Sequence, residues 1–277
     1  MKRAWTWGLP VAVVVVAGAW WWLQSAPPAV PEPAEPVASV EPVPQAPDTT
    51  APALRHPIEA VGQALGLGTE DAAAPPPTLE QRLADLVGRD ALLTFVVTDQ
   101  FARRVAATVD NLGRAHAPSA LWPVQPTPGR FEVATLDGAP ARSDVNARRY
   151  DAFVRFATGI DPARAVALYV RLYPQLQAAY EALGFPGRSL NDRVVDVVDL
   201  LLATPSLDGP VALHLTEIKG PIPSTRPWVR YEFADPALES LAAGQKILLR
   251  VGPAHAAALK AWLAQVRPLL AGQAVRR

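Results

Sequence analysis

This sequence predicts a mainly α-helical domain: a single helical bundle with a small two-stranded β element, behind one transmembrane helix and a disordered Pro-rich linker. Three observations predict it. Apolar residues recur at spacings of three and four along most of residues 78–277, the period of a helix buried on one face. Helix-start chemistry precedes these stretches at Thr78–Gln81, Asp161-Pro162, Ser189 with Asp192, and Asp235-Pro236. Alternation of period two is confined to short segments, chiefly Val211–Leu215 and Val229–Phe233.

The elements follow in order. Residues 1–26 read as a membrane anchor, with Lys2 and Arg3 followed by nineteen uncharged residues from Trp5 to Leu23. A hydrocarbon core of roughly 30 Å needs about 20 apolar residues as a helix. Trp5 and Trp7 at one end, and Trp20 to Trp22 at the other, suit the two interfaces. A cleaved signal peptide is the competing reading; Gln24 and the bulky tryptophans fit a cleavage region poorly. The basic flank then stays cytoplasmic, and residues beyond 26 are expected in the periplasm of a bacterial envelope. Residues 27–77 read as an acidic Pro/Ala-rich spacer, with ten prolines between 27 and 57. Glycines 62, 66 and 68 weaken any helix at Ile58–Leu67. The extracytoplasmic domain is expected over 78–277.

Within it, Leu79, Leu83 and Leu86 predict a helix stopped by Gly88, and one stretch from about 89 to 112 is expected as a second. Phe131–Val133, with Asp137-Gly138 after it, suggests a small strand and turn. Tyr150, Phe153, Val154 and Ala157 line a helix ending at Gly159. Val166, Tyr169, Tyr173, Leu176, Tyr180 and Leu183 form one face of the next, which contains Pro174 and ends at Gly184. Val194, Val198 and Leu201 mark a helix after Ser189. The two alternating segments are expected to pair across the loop 219–228. Asp235-Pro236 opens a helix reaching Val251, and Gly252-Pro253 opens the last.

The chemistry is sparse. Cysteine is absent, which excludes disulfides, thiol catalysis and zinc–thiolate sites. Residues 78–277 carry 23 basic and 19 acidic side chains, too dilute a surplus for nucleic acid. His56, His116, His214 and His255 lack metal-ligand spacing, and no cofactor motif is present. Asp192, Asp196 and Asp199 share one helix face and read best as a solvated face rather than a cation site. Glu239 with Gly244-Gln245 is spaced too closely for a lysozyme-like lyase. The candidate binding residues are Tyr169, Tyr173, Tyr180, Phe185 and Arg188, on the tyrosine stripe and the exposed turn after it. No catalytic residue and no metal ligand is singled out.

Four stretches carry a family resemblance: Tyr169–Pro174, Ala179–Arg188, Asn191-Asp-Arg193, and Tyr231–Pro236 leading into Ala243–Lys246. With these the chain resembles a bacterial family of unknown function numbered 3014 over about 78–271. The resemblance also covers the layout of membrane segment and Pro/Ala-rich spacer, and it implies no activity or functional residues. The expected function is that of an envelope binding or scaffold module, meeting the membrane through residues 5–23 and an envelope protein through its domain. The alternative is an envelope hydrolase or lyase using isolated carboxylates such as Glu181 or Glu232.

Overall fold

Ten α-helices, two single-turn 3-10 helices (Ser119–Leu121 and Pro227–Val229) and two short hairpins make up the secondary structure of the described residues in the computed structural model, which are 53–68, 76–207, 209–217 and 226–273. The expected membrane helix, the spacer up to residue 52, and most of the 219–228 loop lie outside them. Among the described residues no helix is long and apolar enough to cross a membrane.

The first element corrects the expected boundary at 78. Helix α1 (Ile58–Ala64) is part of the packed domain, with Val61 fully buried. It packs against α6 (Pro162–Ala182) and α10 (Pro253–Leu270), and Gly62 sits 3.6 Å from Val170. Tertiary burial of Val61 outweighs the poor helix propensity of Gly62, about 1 kcal/mol, while Gly66 and Gly68 lie beyond the helix end.

Helix α2 (Leu79–Val87) starts in the expected capping box: Gln81 N–H donates to Thr78 Oγ1 at 3.2 Å, and Thr78 N–H to Gln81 Oε1 at 2.7 Å. The expected 89–112 helix is two helices, α3 (Arg89–Phe95) and α4 (Phe101–Leu112). Between them the β-branched Val96, Val97 and Thr98 run extended beside residues 123–125, with Val97 N–H on the Pro123 carbonyl and Gln125 N–H on that of Phe95. Gln100 then takes a left-handed conformation, φ 49°, and resets the chain for α4.

The first hairpin pairs β1 (Val133–Leu136) with β2 (Ala139–Arg142). Asp137 and Gly138 both have positive φ, as a two-residue hairpin turn of matching twist requires. The second pairs β3 (Leu213–Leu215) with β4 (Tyr231–Phe233), antiparallel as expected. A bridge between Ala141 and Ala212, and the Arg142 N–H bonded to the Val211 carbonyl, join the hairpins. The expected two-stranded element is thus present in a mainly helical domain, with the β1–β2 hairpin linked beside it.

Helix α5 (Val145–Gly159), α6 and α7 (Leu190–Leu202) match their expected spans. Asp161 caps α6 by accepting Arg164 N–H at 2.8 Å, and Ser189 caps α7 by accepting Asp192 N–H at 3.1 Å. The single helix expected over 236–251 divides into α8 (Pro236–Glu239) and α9 (Ala243–Val251). The break has a cause. Glu239 takes the Phe233 N–H and the Lys246 ammonium, while the Gln245 side chain accepts Ala242 N–H and restarts the helix.

Three apolar clusters make the core. One joins Val61 to Val166, Val195, Val198, Val266 and Leu269 across α1, α6, α7 and α10. A second joins Ala106, Leu172, Leu176, Tyr180 and Leu190 across α4, α6 and α7. The third seats Val211, Leu213 and Phe233 on Leu249 of α9. Gly244 lets α9 lie close: a Cβ there would stand 3.1 Å from the Leu112 carbonyl oxygen and 2.7 Å from Leu201.

Candidate functional site

The α6–α7 turn, the end of α4 and the segment before α1 enclose an open cleft of about 460 Å³. Its construction begins with Gln177. The Gln177 side chain accepts from Tyr173 Oη at 2.9 Å and Leu190 N–H at 2.8 Å. Its amide group donates to the Arg188 carbonyl at 2.8 Å and to Glu181 at 2.9 Å. One amide thus fixes both sides of the turn.

On that frame Tyr180 and Phe185 stack, ring centroids 4.6 Å apart and planes 14° from parallel. Tyr180 is buried and Phe185 half-buried, so the pair presents one aromatic wall to the cleft. Burial, and secondarily the Asp110 charge, push the Tyr180 hydroxyl above its ordinary pKa, so it stays neutral. The Arg114 guanidinium lies 5.8 Å from the Phe185 ring centre.

The charges are arranged in pairs. Arg114 Nε meets Asp110 Oδ2 at 2.7 Å, and Arg193 Nη2 donates to the Asp110 carbonyl at 2.7 Å. Arg193 Nε is 3.3 Å from Asp110 Oδ1 but poorly aligned, so that contact is an ion pair without a hydrogen bond. Asp192 receives the backbone N–H of Arg55 at 3.1 Å and of His56 at 2.8 Å, one on each oxygen. Asp196 takes the Arg55 guanidinium at 2.8 Å. Arg188 is exposed, and its guanidinium makes no hydrogen bond or ion pair among the described residues.

Apart from Arg188, the charged side chains of the cleft are held in ion pairs and hydrogen bonds. Its carboxylates are all engaged by arginine or backbone N–H. Among the described residues no group of three His, Cys, Asp or Glu is placed to hold a metal. Asp192, Asp196 and Asp199 do share a face, but it is a docking face rather than a solvated one. The first two hold the segment before α1, and Asp199 holds Arg267 of α10 in a two-point pair at 2.8 and 2.9 Å.

Of the residues expected to bind, Tyr180, Phe185 and Arg188 meet here. Tyr169 and Tyr173 do not line the cleft. Tyr169 lies eleven residues before Tyr180, about 16 Å along a helix axis. It packs among the apolar clusters, edge to face with Tyr173 at 5.7 Å, and its buried hydroxyl has no partner. Burial, above all, raises its pKa. Periodicity could not separate the two ends of this stripe, because both are buried on the same side. Asp110, Arg114 and Arg55 were not foreseen; they come from distant segments. Arg193 had one signal, its place in the stretch Asn191-Asp-Arg193, while Asp192 and Asp196 stood out only as members of the acidic helix face.

That stretch has a structural reading as a whole. Asn191, fully buried, donates from Nδ2 to the His56 carbonyl at 2.8 Å and the Leu270 carbonyl at 3.0 Å. It ties the entry of α1 and the end of α10 to α7. In Ala243–Lys246, Gly244 provides the close approach, Gln245 donates to the Leu200 carbonyl at 3.1 Å, and Lys246 pairs with Glu239 at 2.7 Å.

No curated protein and no solved structure matches the chain. A family model described as a protein of unknown function (DUF3014) matches residues 101–267, more than half of the sequence and nearly all of the helices that build the cleft. On that match, the chain belongs to the DUF3014 family.

Proposed function

We propose that this protein is a single-pass membrane protein of the bacterial inner membrane, with a cytoplasmic N-terminus. Its periplasmic helical domain acts as a binding or scaffold module on a Pro-rich spacer. The anchor reading is supported by the uncharged run Trp5–Leu23, its basic flank and its terminal tryptophans. The binding reading is supported by one observation above all: a rigidly framed cleft whose carboxylates are neutralised while Phe185 and the unpaired Arg188 face solvent. An aromatic ring beside a free guanidinium is the composition of a protein-contact anchor. The hydrolase or lyase reading gains nothing comparable. Glu181 is exposed and bonded to Gln177, while Glu232 pairs with His214 at 3.3 Å on a half-exposed hairpin.

A photo-crosslinking side chain placed at 185 or 188 in the full-length protein in cells tests the site, with position 93 as control. Leu93 is 70% exposed and does not line the cleft. The same discrete adduct from 185 and 188, absent from 93, is the expected result. No adduct, or the same adduct from 93, refutes the cleft as the binding site. A C-terminal reporter active only outside the cytoplasm tests the topology; a silent reporter on a stably expressed fusion refutes it.

A further inference from the structure

The aromatic cleft is polarised. Three aspartates line it against four arginines, but the charges are not evenly spread. At the end nearest α1, Arg55 binds Asp196, and Asp192 holds the backbone N–H groups of Arg55 and His56, so two carboxylates meet one cation. At the aromatic end the balance is reversed. Apart from burial, the charges felt by the Tyr180 hydroxyl are those of Asp110, Arg193, Arg188 and Arg114, three guanidiniums against one carboxylate.

The donors left over at that end face solvent. Asp110 is shared, with Arg114 Nε on one oxygen at 2.7 Å and Arg193 Nε 3.3 Å from the other. The Arg114 side chain is 53% exposed, and neither of its Nη atoms makes a hydrogen bond among the described residues. Arg188 has its whole guanidinium to spare. A carboxylate entering here meets N–H groups in the fork geometry that suits it. The Phe185 ring, 5.8 Å from the Arg114 guanidinium, offers the adjoining apolar contact. The lined surface does not stop at Arg114. Residues 115–117 line a further cleft of about 310 Å³ with Tyr231, Lys246 and Arg250. There Lys246 is paired with Glu239, while Arg250 donates to the Tyr231 carbonyl at 3.1 Å and has no ion pair among the described residues. A second cation without a carboxylate therefore follows the first along one stretch of chain. One small ion would use only the first; an extended segment can use both.

We propose that the partner of this cleft is an acidic, extended segment of another protein. Its aspartate or glutamate sits on Arg114 and Arg188, and an aromatic or large apolar side chain beside that acid packs on Phe185. The inference rests on the binding reading above and adds the chemistry of the partner. Charge complementarity speeds the encounter and selects the partner, while the aromatic contact and the desolvated arginine supply affinity. The carboxylates at the far end of the cleft set the direction, because they repel an acid placed there.

The test is selection of random-sequence peptides displayed on phage against the detergent-solubilised full-length chain, then fluorescence anisotropy with the best synthetic peptide. Enriched sequences should carry Asp or Glu within two residues of an aromatic or large apolar residue. Arg188→Glu, which removes no internal partner, should weaken that peptide about tenfold or more, and Phe185→Ser should do the same. The same peptide with Lys in place of its acid should bind Arg188→Glu better than it binds wild type. Neutral or basic enriched sequences whose binding is lost in Phe185→Ser overturn the acidic class and leave the binding reading standing. Binding unchanged in both variants overturns the proposal, since the peptide then sits elsewhere. No enriched sequence also overturns it; if dihexanoyl phosphatidylglycerol then binds saturably to wild type and not to Arg188→Glu, the cleft belongs to lipid headgroups and the protein-contact reading falls as well.

Discussion

Replacing Asn191 by alanine should loosen both ends of the described chain at once. The side chain is fully buried and donates two hydrogen bonds, to the carbonyls of His56 and Leu270. Each such bond contributes about 0.5–1.5 kcal/mol net, and each buried carbonyl left without a donor costs about 1–3 kcal/mol. Against this, Asn191 Oδ1 is itself buried without a partner, so its removal returns about 1 kcal/mol. With the lost bonds included in the carbonyl penalties, the balance is a loss of about 1–5 kcal/mol, which for a domain of this size lowers Tm by roughly 2–20 °C. Asn191→Asp provides the sharper comparison. A carboxylate in the first turn of α7 gains about 0.3–1 kcal/mol from the helix dipole. Ionised, however, it can only accept, and it would face two carbonyl oxygens inside the protein. The aspartate variant should therefore be less stable than the alanine variant. Urea unfolding followed by circular dichroism measures both, and hydrogen exchange at Ile58–Ala64 should rise first. The reasoning fails if Asn191→Ala costs under about 1 kcal/mol, or if the aspartate is as stable as the alanine.

Gly244→Ala should cost about 1–3 kcal/mol by overpacking, since its Cβ would meet Leu201 at 2.7 Å and the Leu112 carbonyl at 3.1 Å; a wild-type melting temperature would contradict that contact. Arg188→Glu should leave stability within about 0.5 kcal/mol, because the guanidinium is exposed and unpaired, while abolishing any adduct formed at 185. Stability should also fall in acid. Burial alone would raise the Glu239 pKa, but the Lys246 ammonium and the Phe233 N–H outweigh it and hold the carboxyl below its ordinary 4.5. A carboxyl depressed in the folded state contributes stability above its unfolded pKa, and that contribution is lost as pH falls through the folded value. The loss should therefore lie below pH 4.5, and Glu239→Gln should flatten this part of a stability–pH profile; an unchanged profile would place the pair outside the stability balance. Asp199, held down chiefly by its hydrogen bond from Arg267, should act in the same direction.

Much of the helical plan was legible because its signals are local. The caps at Thr78, Asp161, Ser189 and Asp235 satisfy N–H groups within three residues, so their chemistry is visible in a short window. The Asp137-Gly138 turn is equally local. What was missed is non-local. The chain breaks at 96–100 because Val96 and Val97 pair with residues near 124, and at 240–242 because Glu239 is drawn to Phe233 and Lys246. Helix α1 was expected only as a weakened turn within the spacer because Gly62, Gly66 and Gly68 argue against it, while the burial of Val61 that holds it comes from α6, α7 and α10.

The candidate site divides in the same way. Tyr180, Phe185 and Arg188 were accessible from sequence, because a turn between two strongly periodic helices is exposed by necessity. By itself the sequence determined the helical class, the hairpin turn, the absence of thiol chemistry and the site's aromatic side. Only tertiary structure decided that Tyr169 and Tyr173 fall to the core and that Asp110, Arg114 and Arg55 complete the cleft. It also turned the aspartates of α7 from a solvated face into a docking face. The physical reason is range. Caps and periodicities act within about two helical turns, whereas ion pairs and buried contacts join residues whose separation along the chain carries no information about their separation in space.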